Sequence, residues 1–237
     1  MLALVAAQGW AAGEAEAPDP AAARRLSRAA AEQGDARAQA NLGEMLMRGN
    51  GGPADIDEAR KWIERSAAQG EPRGQFLLGM LILEGRAGLD RNPAAAARLI
   101  RNAAEKGERE AQYRMALLHG TGNGVEKSNE LALAWLRRAA EAKLPEAEFL
   151  LASIYAKGLY GVPRDDKEAV MWLRRSALQG HVEAEFSMGV AYAEGRGVEK
   201  SASGAVSWMR RAANHGHGQA LEFLRRIEAG MKEAGKK

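Results

Sequence analysis

The side chains best suited to chemistry are four histidines, three of which fall in the last third of the chain: His181, and a His-x-His pair made by His215 and His217. Imidazoles so placed can ligate a metal if successive turns of a structure bring them together. No carboxylate constellation accompanies them, and the chain has no cysteine. Disulfides, thiolate catalysis and cysteine-ligated zinc are therefore excluded. The three are expected to be solvated turn residues, so no metal site and no cofactor is assigned. A catalytic dyad or triad needs a nucleophile, a base and an acid held at one place. His119 stands far upstream, and carboxylates occur only as scattered Glu and Asp. No catalytic residue is assigned, and the chain reads as no enzyme.

The loop Gly120 to Ser128, with three glycines and Lys127-Ser128 at its end, has the look of a phosphate cradle. A Walker loop needs glycine directly before the lysine, and Glu126 stands there. The same Gly-Val-Glu-Lys-Ser string recurs at Gly197 to Ser201, as an inter-helix turn would.

Bulk properties narrow the partners. Lysine and arginine number 34 against 31 acidic residues, a formal net charge of +3. That is far from the dense positive field of a nucleic-acid binder, so nucleic acid is not expected. No apolar run reaches the roughly 18 residues of a membrane span. In Met1 to Ala17, the stretch Leu2 to Ala7 followed by Gly9-Trp10-Ala11 resembles the end of a secretory hydrophobic region with a small-x-small cleavage site, although a basic leader is missing. Residues 1–17 read either as the remnant of a secretory signal or as a frayed N-terminal segment capping the rest of the chain. The first reading implies a periplasmic or secreted protein, the second leaves a cytoplasmic one open.

Residues 18–237 are organised by a repeat. Gly34, Gly70, Gly107, Lys143, Gly180 and Gly216 close near-identical phrases such as RSAAQG and RRSALQG, at intervals of 36 or 37. Eight residues before each stands a bulky apolar residue: Leu26, Trp62, Leu99, Trp135, Trp172 and Trp208. Each unit opens on a small residue (Ala38, Gly74, Ala111, Ala147, Ala184, Ala220) followed four residues later by Leu42, Leu78, Met115, Leu151, Met188 or Leu224, a helical step. Small residues at Gly43, Gly79, Ala116, Ala152 and Gly189 then permit close approach of a neighbouring helix. Gly49, Gly85, Gly122, Gly158 and Gly195 fall where a helix C-terminus favours positive φ. A second helix is expected to begin near Asp57, Pro93, Asn129, Asp166 or Ser201. Neither helix can bury its apolar face alone, so neighbours must stack. Removing Trp135 or Trp172 is expected to cost ~3–5 kcal/mol if they are fully buried.

In stacked helix pairs the first helices line the concave side, and residues three, seven, ten and fourteen of each unit share one face. From that stripe we select Arg73, Leu77 and Met80; Glu110, Arg114 and Leu117; Glu146, Leu150 and Ser153; Glu183 and Val190 as partner-binding residues. They describe an apolar floor with charged margins, suited to an extended peptide or a helix. The alternative is that Leu77 and Leu150 pack against the adjoining helix. Arginines recur on the second helix at Arg65, Arg101, Arg137, Arg138, Arg174, Arg175, Arg210 and Arg211. There they are expected to offset helix dipoles and cover apolar surface rather than bind an acidic partner.

Small-x-x-x-Leu-Gly, Tyr, Gly-x-Gly-Val, Ala-x-x-Trp and Ala-Ala-x-x-Gly over about 36 residues resembles the Sel-1-like repeat, a relative of the tetratricopeptide repeat. The fifth unit carries it most fully, in Ala184, Met188, Gly189, Tyr192, Gly195, Gly197, Val198, Ala205, Trp208, Ala212, Ala213 and Gly216. The resemblance implies an all-α fold: a right-handed α-solenoid of about five antiparallel helix-pair repeats plus terminal helices. It implies a scaffold or adaptor for a protein or peptide ligand, in bacteria often in the envelope. Some relatives bear a disulfide in every repeat and are linked to β-lactams; this chain lacks those cysteines. An envelope enzyme or accessory protein acting on peptidoglycan or β-lactams is the alternative. Neither partner nor oligomeric state is legible.

Overall fold

The computed structural model describes residues 19–234, and every regular element among them is a helix. The first is α1 (Pro20–Glu32). Five pairs come next: α2 (Ala36–Arg48) with α3 (Ile56–Ala68), α4 (Pro72–Glu84) with α5 (Pro93–Glu105), α6 (Arg109–Thr121) with α7 (Asn129–Glu141), α8 (Pro145–Lys157) with α9 (Asp166–Leu178), and α10 (Val182–Glu194) with α11 (Ala202–Asn214). The stack closes on α12 (Gly218–Ala234). Each helix packs on the one before and the one after it, which is the linear order of a solenoid. The part of the chain read as a signal remnant or frayed segment lies outside the described residues.

Local chemistry sets the helix ends. Asp55, Asn92, Ser128, Asp165 and Ser201 cap the second helices, each accepting a hydrogen bond from a backbone N–H of the first turn. The starts expected from sequence therefore hold to within a residue. First helices end on glycines in the left-handed region, as at Gly122 with φ 78°, where an L side chain would be strained. Lys143 holds the same region at φ 61° without glycine's freedom.

Packing within a pair depends on the small residues. A Cβ added to Gly79 of α4 would lie 2.7 Å from Cγ1 of Ile100 on α5, so the two backbones approach closely only because no side chain intervenes. Leu42, Met115, Leu151 and Met188 are completely buried, as their helical spacing requires. In α4 the register differs: Leu77 is buried at 5% exposure and Leu78 is only half-buried.

The bulky residues of the second helices divide by position. Trp62 and Trp135 are buried, Trp172 and Trp208 half-buried, and Leu26 is 73% exposed, because among the described residues nothing precedes α1 to cover it. Three residues beyond each tryptophan an arginine lies over the ring: Arg65, Arg138, Arg175 and Arg211 sit 4.5–4.9 Å from the ring centroids. Where the tryptophan is Leu99 the arginine is also missing, and Asn102 stands in its place. Arg137 and Arg174 donate to the hydroxyls of Tyr155 and Tyr192. The arginines thus cover apolar surface with their stems and planes, as expected.

Candidate binding groove

The first helices α2, α4, α6, α8 and α10 form one side of the stack, and its two ends differ. Toward the N-terminus that side is closed by charge. Arg73 of α4 contacts Glu44 of α2 at 2.8 Å, Glu108 at the start of α6 at 3.1 Å and Glu110 of α6 at 3.4 Å. Burial, with the hydrogen bond and the charge of Glu110, pushes the Glu108 carboxyl up to about 7, against the pull of Arg73. Burial also opposes ionisation of Glu110, but the hydrogen bond from Glu108, a backbone N–H and the charges of Arg73 and Arg109 outweigh it and hold Glu110 below the usual carboxylate range. Both carboxyls line a polar hollow of about 570 Å³ that Arg37, Asn41, Lys106 and Arg109 also wall.

Toward the C-terminus the same side opens into apolar clefts. One, of about 360 Å³, lies between α8 and α10 over α9. Phe149, Ala152, Ser153 and Ala156 line it from α8, Val170 and Leu173 from α9, and Phe186, Ser187 and Val190 from α10. The next, of about 430 Å³, lies between α10 and α12 over Met209 of α11, and again uses Phe186 and Val190, now with Phe223. Phe186 and Val190 are thus the wall between two successive clefts one repeat apart. At one end of the clefts stand Lys157, Asp166, Glu194 and Arg196. There Arg196 pairs with Glu194 and Arg164 with Asp166.

Buried polar clasps hold α8 and α10 in place behind the clefts. Glu148 of α8 is completely buried; its carboxylate accepts from Arg175 Nε at 2.9 Å and from Gln179 Nε2 at 2.6 Å, and Arg175 also donates to the Ala140 carbonyl of α7. Burial raises the Glu148 pKa despite Arg175 beside it. Glu185 of α10 repeats the device with Arg211 at 3.1 Å and His215 at 2.7 Å. Gln39 and Gln112 hold the corresponding places in α2 and α6. Gln39 is joined by Gln69, but where a partner for Gln112 would stand the chain has Ala142, and Gln112 Oε1 is buried with no hydrogen bond.

The residues selected from sequence fall into three groups. Ser153 and Val190 line the clefts, while Leu150 is half-buried and packs against the core. Glu146 and Glu183 are exposed on the first turns of α8 and α10, and Met80, Arg114 and Leu117 are half-buried on α4 and α6. Leu77 is core, and Arg73 and Glu110 are engaged with Glu44 and Glu108, so none of these three is a free contact. The sequence reading missed the aromatic row Phe76, Tyr113, Phe149 and Phe186, although its spacing of 36 or 37 was visible, and missed the share of α9 in the floor. Of the histidines expected as solvated turn residues, His215 is exposed, whereas His181 and His217 are partly buried before α10 and α12: each accepts a backbone N–H of the helix start through Nδ1, and they stack on Phe149 and Phe186 with ring centroids 4.7 and 4.1 Å apart. Among the described residues no three His, Cys, Asp or Glu side chains converge on a point that could hold a metal ion.

The sequence model of the Sel1 repeat matches six times, at residues 7–35, 36–71, 72–108, 109–144, 145–181 and 182–217. The first match begins within residues 1–17. No curated protein sequence matches the chain. Among solved structures, a protective antigen of uropathogenic Escherichia coli strains with an SLR fold is 30% identical, with TM-score 0.71 over 83% of this chain and 42% of its own. This chain therefore spans less than half of that antigen. A Sel1 repeat protein from Oxalobacter formigenes is 28% identical, with TM-score 0.70 over 88% of this chain and 87% of its own. An immunity protein from Pseudomonas aeruginosa shares the fold at 20% identity, with TM-score 0.57 over 81% of this chain and 72% of its own. No helix among the described residues is long and apolar enough to cross a membrane. Sel1 repeat proteins typically mediate protein–protein interaction and are generally not enzymes. With six consecutive matches in register, an all-helical solenoid and these neighbours, the chain belongs to the Sel1 repeat family.

Proposed function

We propose that this chain is a non-enzymatic binding module that holds a peptide or protein segment on the side of the stack formed by its first helices, principally in the clefts between α8, α10 and α12. The observation that carries this reading is the pair of consecutive apolar clefts sharing Phe186 and Val190. A row of equivalent hollows offers a ligand the same contact repeatedly, and each apolar side chain it inserts leaves water. Concave, mostly apolar sites with a few polar groups are where ligands of this kind bind. The module works in the periplasm or outside the cell, a placement supported by the Leu2 to Ala11 pattern.

Val190→Asp tests the groove. Val190 is half-buried in the wall between the clefts, so a carboxylate there puts a desolvated charge into both. The variant is expected to melt as cooperatively as the wild type and to lose whatever binding protein the wild type retains from its native cell. Undiminished retention by a folded Val190→Asp protein would end the groove reading.

A further inference from the structure

We infer that the occupant of these clefts is a basic amphipathic segment, one that turns apolar side chains into the hollows beside Phe149 and Phe186 and Lys or Arg side chains toward Glu146 and Glu183. The inference rests on the proposed function and adds the partner's chemistry.

Glu146 and Glu183 occupy the same place in successive units, on the first turns of α8 and α10, 37 residues apart; Glu110 holds that place in α6, where Arg73 already engages it. Glu146 precedes Phe149 by three residues, and Glu183 precedes Phe186 by three. Residues three apart on a helix are surface neighbours, so each carboxylate stands beside the aromatic ring that begins a cleft. Glu146 and Glu183 are exposed. Glu146 makes no ion pair among the described residues, and Glu183 meets only His217 Nε2, at 3.4 Å. Glu146 also lies near enough to Tyr113 to add to the effect of burial in raising that phenol's pKa.

The fold itself does not demand acid at these places. A first-turn carboxylate does favour a helix dipole, yet Arg37 and Arg73 fill the equivalent positions of α2 and α4, and those helices form as regularly. The change from arginine to glutamate comes at Glu110, which closes against Arg73, so the glutamates left without an arginine, Glu146 and Glu183, are those of the open half. At the other end of the clefts Arg196 pairs with Glu194 and Arg164 with Asp166, which leaves the Lys157 ammonium beside two neutralised acids. The glutamate edge is therefore the one with negative charge to offer, and it complements a cation. Because the whole chain carries a formal charge of +3, a general field would repel a basic peptide. Any preference for one must arise at this edge.

The test uses two synthetic peptides of about 18 residues with one shared Leu/Phe stripe at helical spacing, carrying Lys in one and Glu in the other at every remaining charged position. Binding to the full chain is read by fluorescence anisotropy at about 0.05 M and about 0.5 M salt, between which charge screening changes severalfold. The Lys peptide is expected to bind at least about tenfold more tightly at low salt and to lose most of that advantage at high salt. The double variant E146K/E183K should bring the two peptides to parity or reverse their order, and Val190→Asp should weaken both. Equal or preferred binding of the Glu peptide by the wild type, no binding of the Lys peptide, or a preference unmoved by E146K/E183K overturns the inference. Peptide binding that survives in Val190→Asp is a different result: it counts against the groove itself.

Discussion

The two halves of the groove are copies of one pattern put to different use. In the first half α2 and α4 lie side by side, Leu77 is buried between helices, and Arg73 bridges three units by gripping Glu44, Glu108 and Glu110. In the second half the first helices stand apart over α9 and α11, and the charges that brace them, Glu148 with Arg175 and Glu185 with Arg211, lie behind the clefts rather than across them. The same kind of bond closes the surface in one place and keeps it open in another. The deciding factor is the depth at which the carboxylate sits on its helix: Glu44 and Glu110 face outward along the stripe, while Glu148 and Glu185 are buried at the junction of two helix pairs.

The contrast between the halves is most vulnerable at their seam. Trp135 is 9% exposed on α7, between the halves, with Arg138 over its ring. Trp135→Ala should cost ~3–5 kcal/mol, seen as a lower midpoint in urea unfolding. Nearest-neighbour stacking makes the loss spread to both halves; a loss under about 1 kcal/mol would mean that the seam does not couple them.

The closed half should carry a pH dependence of its own, set by its pair of carboxyls and separate from the one that buried Glu148, also raised, gives the open half. A carboxyl raised in the folded state binds its proton more tightly folded than unfolded, so its contribution is whole below about 4.5 and is lost as pH rises through about 7. Glu110, lowered in the same cluster, offsets part of this, and solvent reaching the hollow screens the pair further. Stability is expected to fall by about 1–2 kcal/mol between pH 5 and pH 8 through this pair, and Glu108→Gln should flatten that part of the curve. A Glu108→Gln protein with an unchanged pH profile of melting would refute the raised Glu108 carboxyl.

The smallest effect is a repair. Ala142→Gln gives Gln112 the partner that Gln69 gives Gln39, and should add about 1 kcal/mol of stability, read as a rise in Tm. No rise would show that the orphaned Gln112 Oε1 is satisfied in another way.

Much of the molecule was legible in advance because it depends on short-range rules. The helix ends follow from Asp, Asn and Ser caps and from glycines at positive φ, each acting within a few residues. The stacking of units follows from small and bulky residues that recur every 36 or 37 positions. The arginine cover over the tryptophans was legible too, since the two side chains are three residues apart on one helix. The stripe of candidate contacts was legible only as a direction on each helix. Of its residues Ser153 and Val190 line clefts, whereas Leu77 is buried in the core and Arg73 and Glu110 are paired with neighbours.

The histidines show why. Their spacing reads as exposed turns, but His181 and His217 are drawn in by Phe149 and Phe186, residues 32 and 31 positions earlier. Family, helices and stacking order are written in the chain itself, because periodicity and local backbone chemistry set them. Which part of the first-helix surface stays open emerges only in three dimensions. It depends on how closely helices one unit apart approach, and the approach is governed by side chains some thirty residues distant whose burial and pairing no local pattern expresses.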